Sequence, residues 1–478
     1  MTPLLSELLS LLEAWRPAFA RRRSAIRAIT HALALSLTVG RRTITRVICL
    51  KGRAYDDGWG TEYKLFSRAP WEPSKLFVPV WNEFRQRYPE HPFIPVALDD
   101  TGISKTGKMI PDARWMRDPM SPPFQVNLIL GLRFIQAGLL FPHYRESDCP
   151  ARSVPVAFDL APHVKKPGRR ATEEEVAAYR LAVKTDNLSA HGSKLVQRLR
   201  QEADRAGFRT KPLMVAVDGS YCNKRVFKTD FERTHLIARC RKDAKLCFPA
   251  QTGSRKKYDS VTFTPEDVLA DSERSFKTAR VYLARNWRVI RYKEISDVLW
   301  RGGAGQRPLR VIVVEPQPYR RTKSSRLRRR DPSFLLTTDL KTQAQILLQV
   351  YCDRWQIEVN HLEEKSVFGV GEAQVRSRRS VPRHPALAVA TYSLLLLAGL
   401  RAFGPGRTNS YHVLPRWRRR SLRPSILDLL TLLRTEIQAS LPHGAQDAHE
   451  AGDPELLQQL QILFIGANAE NLVHHAYT

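Results

Sequence analysis

The chain has 478 residues, with 77 Lys and Arg against 47 Asp and Glu, a formal net charge of +30. That length leaves room for roughly two to four structural units around a large core. A cationic excess of this size is not casual surface balance and points to a polyanionic partner, nucleic acid or an anionic membrane face. From Thr435 onward there are six acids and no Lys or Arg, so the preceding residues carry the whole excess. The six cysteines form no CxxC pair, which sets aside a zinc ribbon and makes reduced thiols the expectation. Glu7 and Glu13 interrupt the first apolar stretch, which argues against a signal peptide. The apolar run Pro385 to Leu400 is short for a bilayer and contains Thr391, Tyr392 and Ser393, so it is expected to be a core helix.

Residues 1 to 88 read as helices. Leu4, Leu5, Leu8, Leu9, Leu12 and Trp15 make an amphipathic first helix, and Ile26 to Leu37 continues the pattern. A Gly-containing turn follows, with Arg41, Arg42 and Arg46 around it; it suits a helix-turn-helix DNA reader and a plain helical bundle about equally. The pattern then changes. Phe93 to Asp100 reads as a buried strand running into acids, Asn127 to Ile135 and Gly138 to Pro142 as two more. One long helical segment, Glu173 to Ala206, leads to a further strand, Pro212 to Asp218. A short helix then leads to strand-like His235 to Arg241. Strands, a crossover helix and carboxylates at strand ends predict an α/β sheet over 89–248 and 334–404. Residues 249–333 interrupt it with strand-like pieces and 20 basic residues against 9 acids. They end in an arginine-rich run, Arg320 to Arg330, expected to be a loop that meets phosphate. The rest, 405–478, reads as helical, with a second cationic cluster at Arg416-Trp-Arg-Arg-Arg-Ser-Leu-Arg423.

The most unusual stretch is Tyr351-Cys-Asp-Arg354-Trp-Gln-Ile-Glu358-Val-Asn-His-Leu-Glu-Glu-Lys365. It is expected to lie on one uninterrupted helix, capped at Thr338 or Asp339 and ending at Gly369. At about 100° per residue, Tyr351, Arg354, Glu358 and Lys365 share an arc of about 60°. Apolar residues flank that arc: Leu348, Trp355, Val359 and Leu362 on one side, Val350, Ile357 and Phe368 on the other. Gln349, Cys352, Asp353, Gln356, Asn360 and Glu363 fall on the opposite face, expected to be the solvated one. Charges inside an apolar face are costly unless paired or bound to something. The pattern fits either a buried Arg-Glu-Lys network or a site.

Three acids stand out for chemistry: Asp99 or Asp100 at one strand end, Asp218 at another, and Glu358. If the fold gathers them, they form a hard-oxygen site suited to Mg²⁺ or Mn²⁺. Two such ions roughly 3.5–4 Å apart could activate an attacking oxygen and stabilise a departing one at a phosphodiester. A competing motif, Gly102 to Lys108, fits part of a phosphate-binding loop. Met109 stands where a Ser or Thr should hold Mg²⁺, and Pro111 disfavours the helix that should follow, which sets ATP hydrolysis aside.

In all four residues and all three spacings, Tyr351-x2-Arg354-x3-Glu358-x6-Lys365 resembles the signature of cut-and-paste DDE transposases of bacterial insertion sequences. Leu98-Asp99-Asp100-Thr101 looks like that family's first acidic block, where an Asp-Thr pair follows a strand, and Val215-Ala-Val-Asp218-Gly like its second. The resemblance covers residues 90 to 400 or so. It implies an RNase H-like catalytic core interrupted by a β-rich insertion, with helical N- and C-terminal regions serving DNA-end binding and dimerisation. It further implies that Asp100, Asp218 and Glu358 hold Mg²⁺, with Mn²⁺ able to substitute, and that Tyr351, Arg354 and Lys365 contact DNA phosphates. Arg376, Arg328 and Arg329 are added as DNA contacts. The expected partners are double-stranded DNA, both element ends and target, and a second copy of the chain; the expected location is the bacterial cytoplasm. Asp99 remains an equal chemical candidate beside Asp100, favoured less only by the Asp-Thr pairing. The segment after Asp218 departs from the best-known members. A metal-dependent nuclease without strand transfer and a non-catalytic DNA-binding derivative remain alternatives.

Overall fold

The computed structural model describes residues 3–476 except 119–120, 123, 146, 148, 284–285, 323, 418–420 and 441–453. Five helices open the chain: α1 (Pro3–Glu13), α2 (Arg22–Leu37), α3 (Ile44–Leu50), α4 (Thr61–Ser67) and α5 (Val78–Arg87). Leucines at positions 4, 5, 8, 9, 11 and 12 bury one broad face of α1. The first amides of α1, at Leu4 and Leu5, donate to the Glu436 carboxylate, so an acid of the C-terminal region caps the first helix. Gly40, at φ 76°, makes the turn before α3, which starts where the Thr43 side chain accepts the Arg46 amide.

Strands and helices then alternate: β1 (Ile94–Ser104), β2 (Arg114–Arg117), β3 (Leu128–Phe141), β4 (Arg152–Leu160), α6 (Glu173–Thr185), α7 (Leu188–Arg205), β5 (Leu213–Val217), α8 (Lys224–Lys228), β6 (Thr234–Arg239). The two strands expected between Asn127 and Pro142 are one, β3, and β4 has no counterpart in the sequence reading. The long helix expected over Glu173–Ala206 is broken at Asp186-Asn187, where the Asn187 side chain accepts the Ala190 amide and caps α7.

β1 pairs antiparallel with β3, and β3 antiparallel with β4; β5 lies parallel to β1 on its other side, and β6 parallel to β5. The core order is therefore β4-β3-β1-β5-β6, with two antiparallel and two parallel steps. The next elements are β7 (Leu246–Pro249), β8 (Tyr258–Phe263), α9 (Pro265–Ala270), β9 (Lys277–Leu283), β10 (Asn286–Leu299), β11 (Pro308–Val314), β12 (Pro318–Tyr319), β13 (Arg328–Arg329) and β14 (Ser333–Thr337). β14 pairs antiparallel with β6, β11 with β14, and β10 with β11. The β-rich insertion thus extends the core's own sheet, which reaches twelve strands. β12 and β13 form a separate two-stranded ribbon.

The last helices are α10 (Ala344–Asp353), α11 (Gln356–Ser366), α12 (Ser380–Phe403), α13 (Ile426–Ser440) and α14 (Pro454–Ala476). The single helix expected from Thr338 to Gly369 is two. Asp339 holds a turn by accepting the Lys341 and Thr342 amides, and α10 starts only at Ala344. At Arg354-Trp355 the ladder tightens: Trp355 donates to Cys352, Ile357 to Arg354 and Glu358 to Trp355, all three residues back. Among the described residues α12 is the one helix long and apolar enough to cross a membrane, and 83% of its apolar window is buried inside the protein. It is the core helix expected from its composition.

Both faces of the sheet are covered. On one, Val96 and Leu98 of β1 join a large cluster with α2, α7 and α12. On the other, Ala97, Met214, Ala216 and Ile237 pack against Leu347 and Val350 of α10 and Ile357 of α11. The acids stand where these faces end.

Candidate active site

Strand alternation decides which acid faces which layer. Asp99 continues the face of Ala97, and Asp218 the face of Met214 and Ala216, both under α10 and α11. In the parallel pair Leu98 lies beside Val217, so Asp99 and Asp218 follow side by side at two neighbouring strand ends. Asp100 takes the opposite face, paired with Arg133 (Nε to Oδ2, 2.7 Å), while its amide donates to Asp99 Oδ1 at 2.8 Å. The acid beside Asp218 on that face is therefore Asp99, while Asp100, the one favoured by the Asp-Thr pairing, turns to Arg133.

Arg354 joins the strand ends to the helix. Nη1 lies 3.4 Å from Asp99 Oδ2 and Nη2 3.2 Å from Glu358 Oε1. The guanidinium carbon is 5.6 Å from the centre of the Tyr351 ring. Burial, then the charge of Asp218, pushes the Asp99 carboxyl up to about 7, against the pull of Arg354. Glu358 is also raised, by burial first, with Arg354 opposing and Asp218 adding. Asp218 Oδ1 accepts the Ser220 amide at 2.9 Å and its hydroxyl at 2.6 Å. Burial also raises the Tyr351 phenol.

The remaining predicted contacts scatter. Burial lowers the Lys365 ammonium, opposed by Glu364 and Asp100, which places Lys365 on the acid side of α11. Arg376 is exposed in the loop after α11, and Arg328 and Arg329 are exposed on the β12–β13 ribbon; no hydrogen bond or ion pair joins them to the acids among the described residues. Arg418, Arg419 and Arg420 of the second cationic cluster lie outside the described residues. Arg42 is buried, donating to the Leu35 and Val367 carbonyls, which removes it from any DNA-reading surface.

The faces assigned to the Tyr351–Lys365 stretch are inverted in part. Gln349, Asp353 and Asn360, expected in solvent, are buried, whereas Trp355 and Leu362 are 59% and 66% exposed. Each buried polar group has a distant partner: Gln349 bonds the Tyr282 backbone, Tyr144 donates to Asp353, Tyr392 to Asn360. Cys352, Gln356 and Glu363 are half-buried.

Three neighbours escaped the sequence reading. Arg133, which holds Asp100, carries no local signal. Tyr221 has a buried hydroxyl with no hydrogen-bond partner among the described residues, and feels Asp100, Asp99 and Asp218. A Cβ on Gly192 would sit 2.5 Å from its ring, so only glycine lets Tyr221 in. His361 lies three residues past Glu358 and four before Lys365, a helical spacing that could have found it. Its Nε2 is buried without a partner among the described residues, and burial, then Lys365 and Arg354, push it down to about 3.

The donor set is all oxygen, and Arg354 is its one ion-paired cation among the described residues, chemistry that suits a hard divalent ion such as Mg²⁺. As they stand, no three His, Cys, Asp or Glu side chains among the described residues are gathered closely enough to cage one. Arg354 lies between two of the acids. No family model matches the chain and a search of curated proteins finds no match, so the fold and these side chains alone bear on its activity.

Proposed function

We propose that this chain is a DDE-type DNA transposase that cuts its element's ends by phosphodiester hydrolysis and joins the freed 3′-hydroxyls to target DNA. The observation that carries the reading is Asp99 and Asp218 side by side on neighbouring parallel strand ends, facing Glu358 of α11 across Arg354. The core order β4-β3-β1-β5-β6 supports it, because two antiparallel and two parallel steps are the pattern of an RNase H-like sheet. The Tyr351-Arg354-Glu358-Lys365 signature and the net charge of +30 support it independently.

In this reading Asp99, with Asp218 and Glu358, holds Mg²⁺. Bound there, the metal supplies a Lewis acid for the attacking and departing oxygens. The protein's own groups do the rest. Tyr351, Arg354 and Lys365 bind the phosphates flanking the scissile bond, and Asp99 and Asp218 anchor the site to two neighbouring parallel strands. The exposed arginines at 328, 329 and 376 add salt-dependent hold on the duplex. Two ends must be cut and joined together, so the active form is a dimer on DNA, in the bacterial cytoplasm.

The test incubates purified protein with Mg²⁺, DNA from the element's termini and a target plasmid. Cleaved and joined products are expected, and Glu358→Gln should abolish both. Cleavage without joining would make the chain a nuclease, and no cleavage a DNA-binding derivative. Wild-type rates in Glu358→Gln would sink the site altogether.

A further inference from the structure

Arg354 is poorly held for a half-buried arginine. Its two ion pairs, 3.4 and 3.2 Å, go to different carboxylates, so it makes no bidentate fork, and its other neighbour is the Tyr351 ring at 5.6 Å. Its side chain is 12% exposed, and its Nε has no hydrogen-bond partner among the described residues. An unmet Nε is shared with Arg200, so contact length is what sets Arg354 apart: Arg133 reaches Asp100, and Arg198 reaches Asp159, each at 2.7 Å. Arg42 spends its donors on two backbone carbonyls. A desolvated cation with an unmet donor and long contacts gains little by staying where it is.

Its position has a consequence for charge. Without Arg354, the cluster of Asp99, Asp218 and Glu358 has no cation within ion-pair distance among the described residues. A divalent ion and the guanidinium therefore compete for the same carboxylate oxygens. A phosphate and the carboxylates in turn compete for the guanidinium, and Arg suits phosphate geometry well.

We propose that Arg354 is the built-in counter-ion of the metal-free site, displaced onto a DNA phosphate when a divalent metal enters, so that metal and DNA each favour the other's binding. This rests on the reading of the three acids as metal ligands. The metal frees the guanidinium for the backbone; the backbone removes the metal's competitor. By linkage the two effects are equal in size, and a typical coupling is roughly 5–150-fold. Arg354 thereby acts as a positioning residue, keeping the site from holding metal tightly before DNA arrives.

The experiment is a Mn²⁺ titration of the full-length protein, read from the electron paramagnetic resonance signal of the free ion. Without DNA, Arg354→Ala should bind Mn²⁺ at least about fivefold more tightly than wild type, with Arg354→Lys in between. Arg354→Gln replaces the alanine variant if the latter fails a thermal-melting check. A 40-base-pair duplex from the element's boundary should tighten Mn²⁺ binding to wild type and leave Arg354→Ala unchanged. Equal or weaker Mn²⁺ binding by the arginine variants, or a duplex effect that does not depend on Arg354, overturns the proposal. Asp99→Asn separates the two layers. If it leaves Mn²⁺ binding at the wild-type value, the metal-site reading fails; if it weakens binding while Arg354→Ala does not tighten it, only the counter-ion role fails.

Discussion

Two charge clusters in this chain, one buried and one half-buried, are built in opposite senses. In the N-terminal helices one carboxylate, Glu62, is surrounded by Lys51 at 2.8 Å, Arg53 at 3.3 Å, His31 at 3.4 Å and Arg27 at 3.5 Å. Despite full burial its pKa is pulled down to about 2, with Lys51 the strongest of the pulls. Where the strand ends meet α11, Asp99 and Glu358 share Arg354, Asp218 has no ion pair among the described residues, and Asp99 is pushed up to about 7. The first cluster is over-supplied with cations and ties α2, α3 and α4 together. The second is short of positive charge, the condition in which a site retains appetite for a ligand. The ratio of signs thus separates a structural lock in one place from an under-neutralised set of carboxylates in the other.

The largest expected effect tests which aspartate belongs to the second cluster. Asp99→Asn should reduce Mg²⁺-dependent cleavage of end DNA on the order of a thousandfold or more. Asp100→Asn, which loses only the pairing to Arg133, should stay within about tenfold; the reverse order would return the metal site to Asp100. Next, Glu62→Gln leaves the buried Lys51 without a charged partner and should cost about 3–5 kcal/mol in denaturant unfolding, while Mn²⁺ binding stays at the wild-type value. The sign with pH follows from the depressed pKa. Glu62's contribution is fully present above its ordinary value of about 4.5 and is lost as pH falls through about 2.

A smaller effect is expected at Glu364, fully buried beside Gln136 (2.9 Å) and pushed up to about 8, chiefly by burial. Its folded pKa lies above the unfolded one, so the folded state binds the extra proton and stability falls as pH rises from about 4.5 through about 8. Between pH 5 and 7 the loss is about 2–3 kcal/mol by linkage. Glu364→Gln should flatten that part of the stability profile; an unchanged slope would place the titration elsewhere. Smallest of all, Arg328→Ala with Arg329→Ala should lower the salt dependence of DNA binding by about one to two released ions, with unfolding unchanged within about 0.5 kcal/mol. An unaltered salt slope would take the ribbon off the DNA.

Much of this was legible in the residues. The apolar runs ending in Asp99 and Asp218 gave two strand ends, and the spacing from Tyr351 to Lys365 gave a charged helical row. What failed did so for physical reasons. A strand buried on both faces reads as a continuous apolar run, so Ile94 to Leu98 carries no alternation to say which way Asp99 or Asp100 points. Only the register of Leu98 beside Val217 settles it. The wheel over 351–365 assumed uniform pitch, but three-residue bonds tighten the chain at Arg354-Trp355. It also assumed that polar means solvated. Asp353 and Asn360 are buried because Tyr144 and Tyr392 meet them from 209 and 32 residues away. No local pattern encodes such partners.

Arg42 has a mechanical meaning beyond its hydrogen bonds. Its guanidinium grips the Leu35 carbonyl near the end of α2 and the Val367 carbonyl just beyond α11, while its amide donates to Glu372. One side chain thus ties the end of α2 to the segment just past α11, so a shift of one against the other would strain these bonds.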